Sequence, residues 1–293
     1  MSRRPEWTLT LLKHLWPLTY LSPRVTRLPL VGKFFALLFV PMFSGRNFNI
    51  SYLPVNEGIQ GAESVVIPRL VIEEFIRRTP HRVMIRRCTC RESKQCRHFP
   101  FTEACLQMGE DTRHLDPRIA DHLTVEEAIA LVDRQLARGL IPMLGRVRVD
   151  HYFYGSPNTG RLLTVCFCCT CCCTVLNSAR FFPQAAADSI VRLKGLSLHV
   201  DHDLCTRCGR CVEACFMKAL RLEEDAVVRD EGRCKGCGRC ETVCPGDAIT
   251  MTLESIEDAV EELRGRVRER VDFGEAGSVP RLRPDRRRGP GPR

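Results

Sequence analysis

Two runs of cysteine constrain this 293-residue chain more than any other feature. The first reads Cys205-Thr-Arg-Cys208-Gly-Arg-Cys211-Val-Glu-Ala-Cys215. The second reads Cys234-Lys-Gly-Cys237-Gly-Arg-Cys240-Glu-Thr-Val-Cys244-Pro245. Both are C-x2-C-x2-C-x3-C, and they superpose with an offset of 29 residues, so the motif is also an internal repeat. Three cysteines two apart let a short loop curl round one multi-iron centre. The fourth, three further on, cannot turn back to that centre and reaches its neighbour. Zinc sites show paired knuckles instead of triplets with a fourth at a fixed distance. Disulfides need an oxidising compartment, which nothing in the chain requires. The spacing therefore points to iron–sulfur cubanes.

The stretch 196–252 resembles the two-[4Fe-4S] bacterial-type ferredoxin domain. On that resemblance, cluster I takes Cys205, Cys208, Cys211 and Cys244, and cluster II takes Cys234, Cys237, Cys240 and Cys215. Gly209 and Gly238 fall where the backbone must approach a cluster closely. Pro245 follows the second run, whereas Phe216 follows the first; this departs from the family pattern without removing a ligand. Leu198-His-Val-Asp and Ala226-Val-Val-Arg read as strands before each run. Ala219-Leu-Arg-Leu and Ala248-Ile-Thr-Met read as strands after them.

Ten further cysteines precede this stretch. Cys88, Cys90, Cys96 and Cys105 form one group; Cys166, Cys168, Cys169, Cys171, Cys172 and Cys173 crowd into eight positions. Six so close cannot all be small buried apolar residues, because neighbouring side chains diverge. The same divergence prevents one run from giving four unstrained ligands to one cube. A further iron–sulfur cluster with ligands from both groups is expected, with structural zinc as the alternative. Arg87 and Arg91 are expected to offset its negative charge. His98, His114 and His151 lie near these cysteines and read as ordinary histidines ahead of ligands or proton carriers.

The Cys88-Thr-Cys90-Arg91 start, Glu103-Ala-Cys105-Leu106, the Gly139-Leu-Ile turn and the C-x-C-C-x-C-C-C run resemble a group of uncharacterised 4Fe-4S dicluster proteins of anaerobic microbes. The resemblance covers most of residues 50–252. It implies a cysteine-rich N-terminal domain fused to a two-cluster ferredoxin domain, in electron transfer, and brings no reaction with it. Adjacent cysteines also occur in heterodisulfide-reductase-type subunits, but at other spacings.

The expected fold class is α+β: a cysteine-rich mixed N-terminal domain plus a small two-cluster ferredoxin-like domain. The divisions are an apolar and basic segment at 1–50, a cysteine-rich domain at 51–190, the ferredoxin domain at 196–252, a C-terminal helix at 254–272 and a disordered basic tail at 274–293. Hydrophobic content of 44% with 27% charged residues suits a soluble globular chain. The formal charge of +9 is misleading, because residues 281–293 alone contribute six Arg against one Asp. Each oxidised four-thiolate cluster adds about −2, which leaves the body near neutral. No nucleic-acid partner is expected.

Residues 1–43 are basic and apolar. Ser2-Arg3-Arg4 resembles the start of a twin-arginine export signal, but Pro5, Glu6, Lys13 and His14 interrupt it and no cleavage site follows. Leu30–Val40 is too short to span a bilayer and reads as a buried helix, with an interfacial helix as the alternative. Further helices are expected over Pro68–Arg78, after the Thr124/Glu127 capping box, and after Ser255 with Ile256, Val260, Leu263 and Val267 buried. Leu140–Val149 and Leu162–Val165 read as strands.

The expected function is an iron–sulfur electron carrier, or the electron-input subunit of an anaerobic oxidoreductase, working at potentials on the order of −400 mV. The expected setting is a reducing cytoplasm, with redox partner proteins; peripheral membrane contact through residues 1–43 goes with the interfacial alternative. One rival is a reductase with a catalytic cluster in the N-terminal domain. Another is a metal- or redox-sensing module, for which no output domain is visible. No glycine-rich nucleotide loop supports a flavin or nicotinamide site.

Overall fold

The computed structural model describes residues 7–272 except 30, 46, 55–66 and 225. The twin-arginine-like start, Leu30 and the basic tail lie outside the described residues. Three short helices open the chain: α1 (Trp7–Leu15), α2 (Pro17–Val25) and α3 (Val31–Met42). Then come β1 (Phe48–Tyr52), α4 (Ile67–Arg78), β2 (Arg82–Ile85), α5 (Thr89–Ser93), β3 (Leu106–Met108), β4 (Ala120–His122), α6 (Val125–Ala137), β5 (Ile141–Val147), α7 (Val149–Tyr154) and β6 (Leu163–Cys168). The mixture of helix and strand agrees with the expected class.

The six strands form one antiparallel sheet in the order β1-β5-β6-β3-β2-β4. Strand periodicity decides which residues face which side. Leu106, Met108, Leu144, Leu163, Val165 and Phe167 pack with α4 and α6 in one core. The alternate positions Cys166 and Cys168 turn to the opposite face, with Met143, Val147 and Tyr52. The capping box at α6 forms as expected: the Glu127 amide donates to Thr124 Oγ1 (3.2 Å) and the Thr124 amide to Glu127 Oε2 (2.8 Å). Gly145 sits at φ 155° where β1 and β5 approach; a Cβ there would lie 1.9 Å from the Asn49 carbonyl oxygen.

After β6 the chain makes α8 (Thr174–Ser178) and α9 (Gln184–Ala187), then β7 (Leu196–Val200), α10 (Arg210–Ala214), β8 (Leu220–Leu222), β9 (Val227–Arg229), α11 (Arg239–Thr242), β10 (Ile249–Leu253) and α12 (Ile256–Arg268). The repeat seen in the sequence recurs in the backbone. Arg207 and Gly236, Gly209 and Gly238, and Lys218 and Asp247 are pairs 29 apart, and all six have left-handed φ. Strands pair across the repeats, β7 with β10 and β8 with β9, so the two halves interlock. Ser255 caps α12 (Asp258 amide, 3.1 Å), and of the expected stripe Leu263 and Val267 are buried, while Ile256 and Val260 at its edge are only half-buried. Arg266 on α12 reaches Asn49 and Ser51 of β1, and Arg161 pairs with Asp272.

The opening helices correct one expectation. α3 is not a buried helix: Phe34 is 61% and Leu37 73% exposed, and Phe35 and Leu38 are exposed as well. The inner side of the three helices does pack, through Leu9, Trp16 and Phe39, but the rest of their apolar surface is uncovered. Among the described residues no helix is long and apolar enough to cross a membrane.

Candidate metal centres

In the repeat region, Cys205, Cys208, Cys211 and Cys244 line one small cavity. Cys244 belongs to the second run, so the fourth cysteine has crossed to the other repeat. Cys237 and Cys240 both feel the charges of Cys234 and Cys215, and Cys215 is the cysteine that left the first run. Short helices explain the placement. α10 and α11 start at the left-handed glycines Gly209 and Gly238, and each carries its third cysteine, Cys211 or Cys240, into the interior. Burial pushes the Cys237 thiol up to about 12, and raises Cys211 and Cys240 as well. Exposed Cys208 moves the other way, because the Arg210 backbone amide donates to its sulfur. The buried thiols lose their protons only to a cation that replaces the missing solvation. Two four-thiol sets beside left-handed loops fit the donor chemistry of iron–sulfur clusters.

The other ten cysteines meet at the turn after β6. Antiparallel register brings Cys105, just before β3, opposite Cys166, with the sulfurs 3.0 Å apart. Cys168 lies 3.2 Å from Cys173, at the start of α8. Cys90 at α5 lies 3.2 Å from the Thr174 hydroxyl, and its thiol and that of Cys88 form a hydrogen-bonded pair. These six border an apolar cavity of about 140 Å³. Cys96, Cys169, Cys171 and Cys172 form a second group, with all four sulfurs within 4.8 Å of one another, and Cys169 also borders the cavity.

The opening helices close over this region. Trp16 Nε1 donates to Thr174 Oγ1 (2.8 Å), Tyr20 donates to the Cys172 carbonyl (2.6 Å), and Trp16 packs edge-on against Phe153. Contact with the neighbouring cysteine and burial hold the Cys88, Cys166 and Cys168 thiols well above their usual range, and burial pushes Cys169 up to about 12. Cys90 is lowered to about 6 by the Cys88 thiol and by Thr174. Arg91 sits beneath the group, 1% exposed, and donates to the carbonyls of Phe167 (2.8 Å), Glu103 (3.3 Å) and Pro100. Burial opposes its charge, but Cys88, Cys169, Cys105 and Cys168 outweigh that and keep it protonated. Arg87, expected to share this task, is paired with Glu92 at 2.6 Å.

The histidines follow the ordinary reading. His98 and His114 are exposed. His151 is buried; burial lowers it to about 4, and its Nδ1 meets Ser156 Oγ at 3.0 Å. Sequence reasoning missed Asp150. It lines the cavity, accepts from Gln107 and Thr164, and burial pushes it up to about 7. An acid at the start of a helix gives no signal of burial. Tyr52 was also missed. Among the described residues its buried phenolic oxygen has no partner, and Cys173, Cys168 and Cys237 act on it.

A family model described as a 4Fe-4S dicluster domain matches residues 198–251. No curated protein and no solved structure matches the chain. The match covers the doubled cysteine run alone, and with the cysteine groups described above it supports 4Fe-4S cluster binding and points to an iron–sulfur electron-transfer role.

Proposed function

We propose that the protein is an iron–sulfur electron carrier, or the electron-input subunit of a larger oxidoreductase, with two [4Fe-4S] clusters in residues 196–252. Cys205, Cys208, Cys211 and Cys244 would hold one; Cys215, Cys234, Cys237 and Cys240 would hold the other. The observation that carries this reading is Cys244 lining the cavity of Cys205, Cys208 and Cys211 across the repeat. Bound there, such clusters supply one-electron chemistry, which belongs to the cofactor. The chain's own residues supply position and cover. The interlocked strands fix the two sets relative to each other, and burial of Cys211, Cys237 and Cys240 keeps water from them. The cysteine-rich N-terminal part is the internal acceptor or donor, in a reducing cytoplasmic setting with a separate redox partner.

Contact with an anionic membrane surface belongs to the same reading. Residues 7–43 contain no acidic side chain, and they present Trp7, Leu18, Leu28, Phe34, Leu37 and Leu38 to solvent beside Lys13, Arg24, Arg27 and Lys33. Short amphipathic helices with basic flanks suit the headgroup layer. The test of the cluster assignment is iron and acid-labile sulfide analysis with electron paramagnetic resonance on protein purified without oxygen. Cys208→Ser and Cys237→Ser should each abolish a different reduced-cluster signal. Zinc in place of iron in the native protein would overturn the assignment. Membrane contact predicts co-sedimentation with anionic vesicles that is lost on removing residues 1–43, and equal partitioning of the two forms would refute it.

A further inference from the structure

The ten N-terminal cysteines divide by geometry, and we propose that they hold two metal centres of different kind. The outer centre takes a single soft metal ion, zinc or iron, on Cys96, Cys169, Cys171 and Cys172. The inner centre is a sulfide-bridged iron cluster on Cys88, Cys90, Cys105, Cys166, Cys168 and Cys173. This goes beyond the two clusters of the repeat and does not depend on them.

Spacing carries the outer assignment. The four sulfurs all lie within 4.8 Å of one another, and both Cys96–Cys171 and Cys171–Cys172 are 3.7 Å apart. Bonds of about 2.3 Å to one tetrahedral ion set its sulfurs about 3.8 Å apart. The inner set has closer pairs, Cys105–Cys166 at 3.0 Å and Cys168–Cys173 at 3.2 Å, but among the described residues its six sulfurs form no such compact group of four. The surroundings agree. The His98 and Phe99 amides donate to Cys96, and the Cys172 amide to Cys169, which are the contacts that support metal-bound thiolates. The centre would join the turn after α5 to the turn after β6.

Number and burial carry the inner assignment. Six thiols are more than one tetrahedral ion accepts. They border a cavity of about 140 Å³, whose rim Cys169 of the outer set shares, so the two centres would be close neighbours. The cavity's lining is apolar, so the thiolates need cationic charge from within, and Arg91 is a single neighbour. The phenol of Tyr52 agrees with a metal nearby: among the described residues its buried oxygen has no partner, and the cysteines acting on it are Cys173, Cys168 and Cys237, so a metal-bound thiolate of either half would accept its proton in a hydrogen bond.

The test is metal and acid-labile sulfide analysis of the full-length protein prepared without oxygen. Cys96→Ala with Cys171→Ala, the latter exposed, should lose one metal ion per chain with sulfide unchanged. Treatment of the unaltered protein with a chelator such as EDTA should withdraw the same ion without sulfide. Loss of sulfide in either experiment, or unchanged metal content in the variant, overturns the outer centre. Cys105→Ser with Cys166→Ser should lose more than one iron together with sulfide and retain the outer ion. Unchanged iron, or loss of the outer ion as well, overturns the division. Iron analysis of the unaltered protein gives a further check: total iron should exceed, by several ions per chain, the share that Cys208→Ser and Cys237→Ser remove, and a total no greater than that share refutes the inner cluster. Cys208→Ser and Cys237→Ser report on the repeat clusters separately.

Discussion

Arg91→Met tests whether the N-terminal half is held together from beneath its cysteines. Arg91 is 1% exposed and ties α5 to β6 by donating to the Phe167 carbonyl at 2.8 Å, while its other nitrogen serves Pro100 and Glu103. Methionine keeps most of the volume but leaves those buried carbonyls unpaired. Two good bonds from a charged donor contribute about 1.5–3 kcal/mol each, so the expected loss is about 3–6 kcal/mol. That is a large share of a typical domain's 5–15 kcal/mol. For a chain of this size it corresponds to a fall in Tm of about 5–10 °C. The substitution also removes the cation that faces Cys88, Cys105, Cys168 and Cys169, so metal content in the N-terminal half should fall. Anaerobic thermal unfolding and metal analysis of the same samples read both effects. Arg91→Lys should recover part of the charge effect but little of the bonding, since a lysine cannot span three carbonyls. A methionine variant with the Tm and metal content of the unaltered protein would refute this account.

Asp150 gives a pH dependence. Its folded pKa is raised to about 7 by burial, so the folded state binds the extra proton; stability should fall by about 1.4 kcal/mol per pH unit between roughly pH 4 and 7. Asp150→Asn should flatten that slope in anaerobic denaturation at several pH values, and an unchanged slope would count against burial as the cause. Gly145→Ala should cost about 3 kcal/mol or more, because its Cβ meets the Asn49 carbonyl at 1.9 Å; a Tm within a degree or two of the original would show that β1 can move aside. Thr124→Ala should cost about 1 kcal/mol through loss of the capping box, read by the same unfolding assay, with Thr124→Ser restoring it.

The repeat region was the most legible part of the sequence. Its four strands lie where alternation placed them, because each is bounded by a cysteine loop that permits no other register. α6 and α12 were legible because capping residues precede clear apolar stripes. The six-stranded sheet was not. β2, β3 and β4 are three or four residues long, too short to show a period, and their pairing depends on contacts far along the chain. α3 misled because its apolar content is high all round, which reads as burial, whereas its outer surface is left exposed by the described residues. The joint use of the two N-terminal cysteine groups was expected from the divergence of neighbouring side chains. The division proposed for them was not visible, because it rests on Cys166 and Cys168 sharing a strand face while Cys169 begins the turn.

Phe216 links the legible and illegible parts. In the second repeat the equivalent position is Pro245, which stops the chain after its last cysteine. The first repeat has no need of a stop there, because the residue docks on the sheet instead. The Phe216 ring packs edge-on against Tyr52 of β1 at 5.2 Å. Cys215, the cysteine just before it, stands with Cys234 and Cys237. The same tyrosine packs in one core cluster with Cys173 and Cys168. One aromatic pair therefore sits between a cysteine set of the repeat and the buried cysteines of the sheet, and the charges of both reach one phenol. A proline at 216 could cap the loop but could not make that contact. On the electron-transfer reading, the departure from the repeat is the place where the two halves are coupled. Weakening it should separate their redox behaviour without removing any ligand.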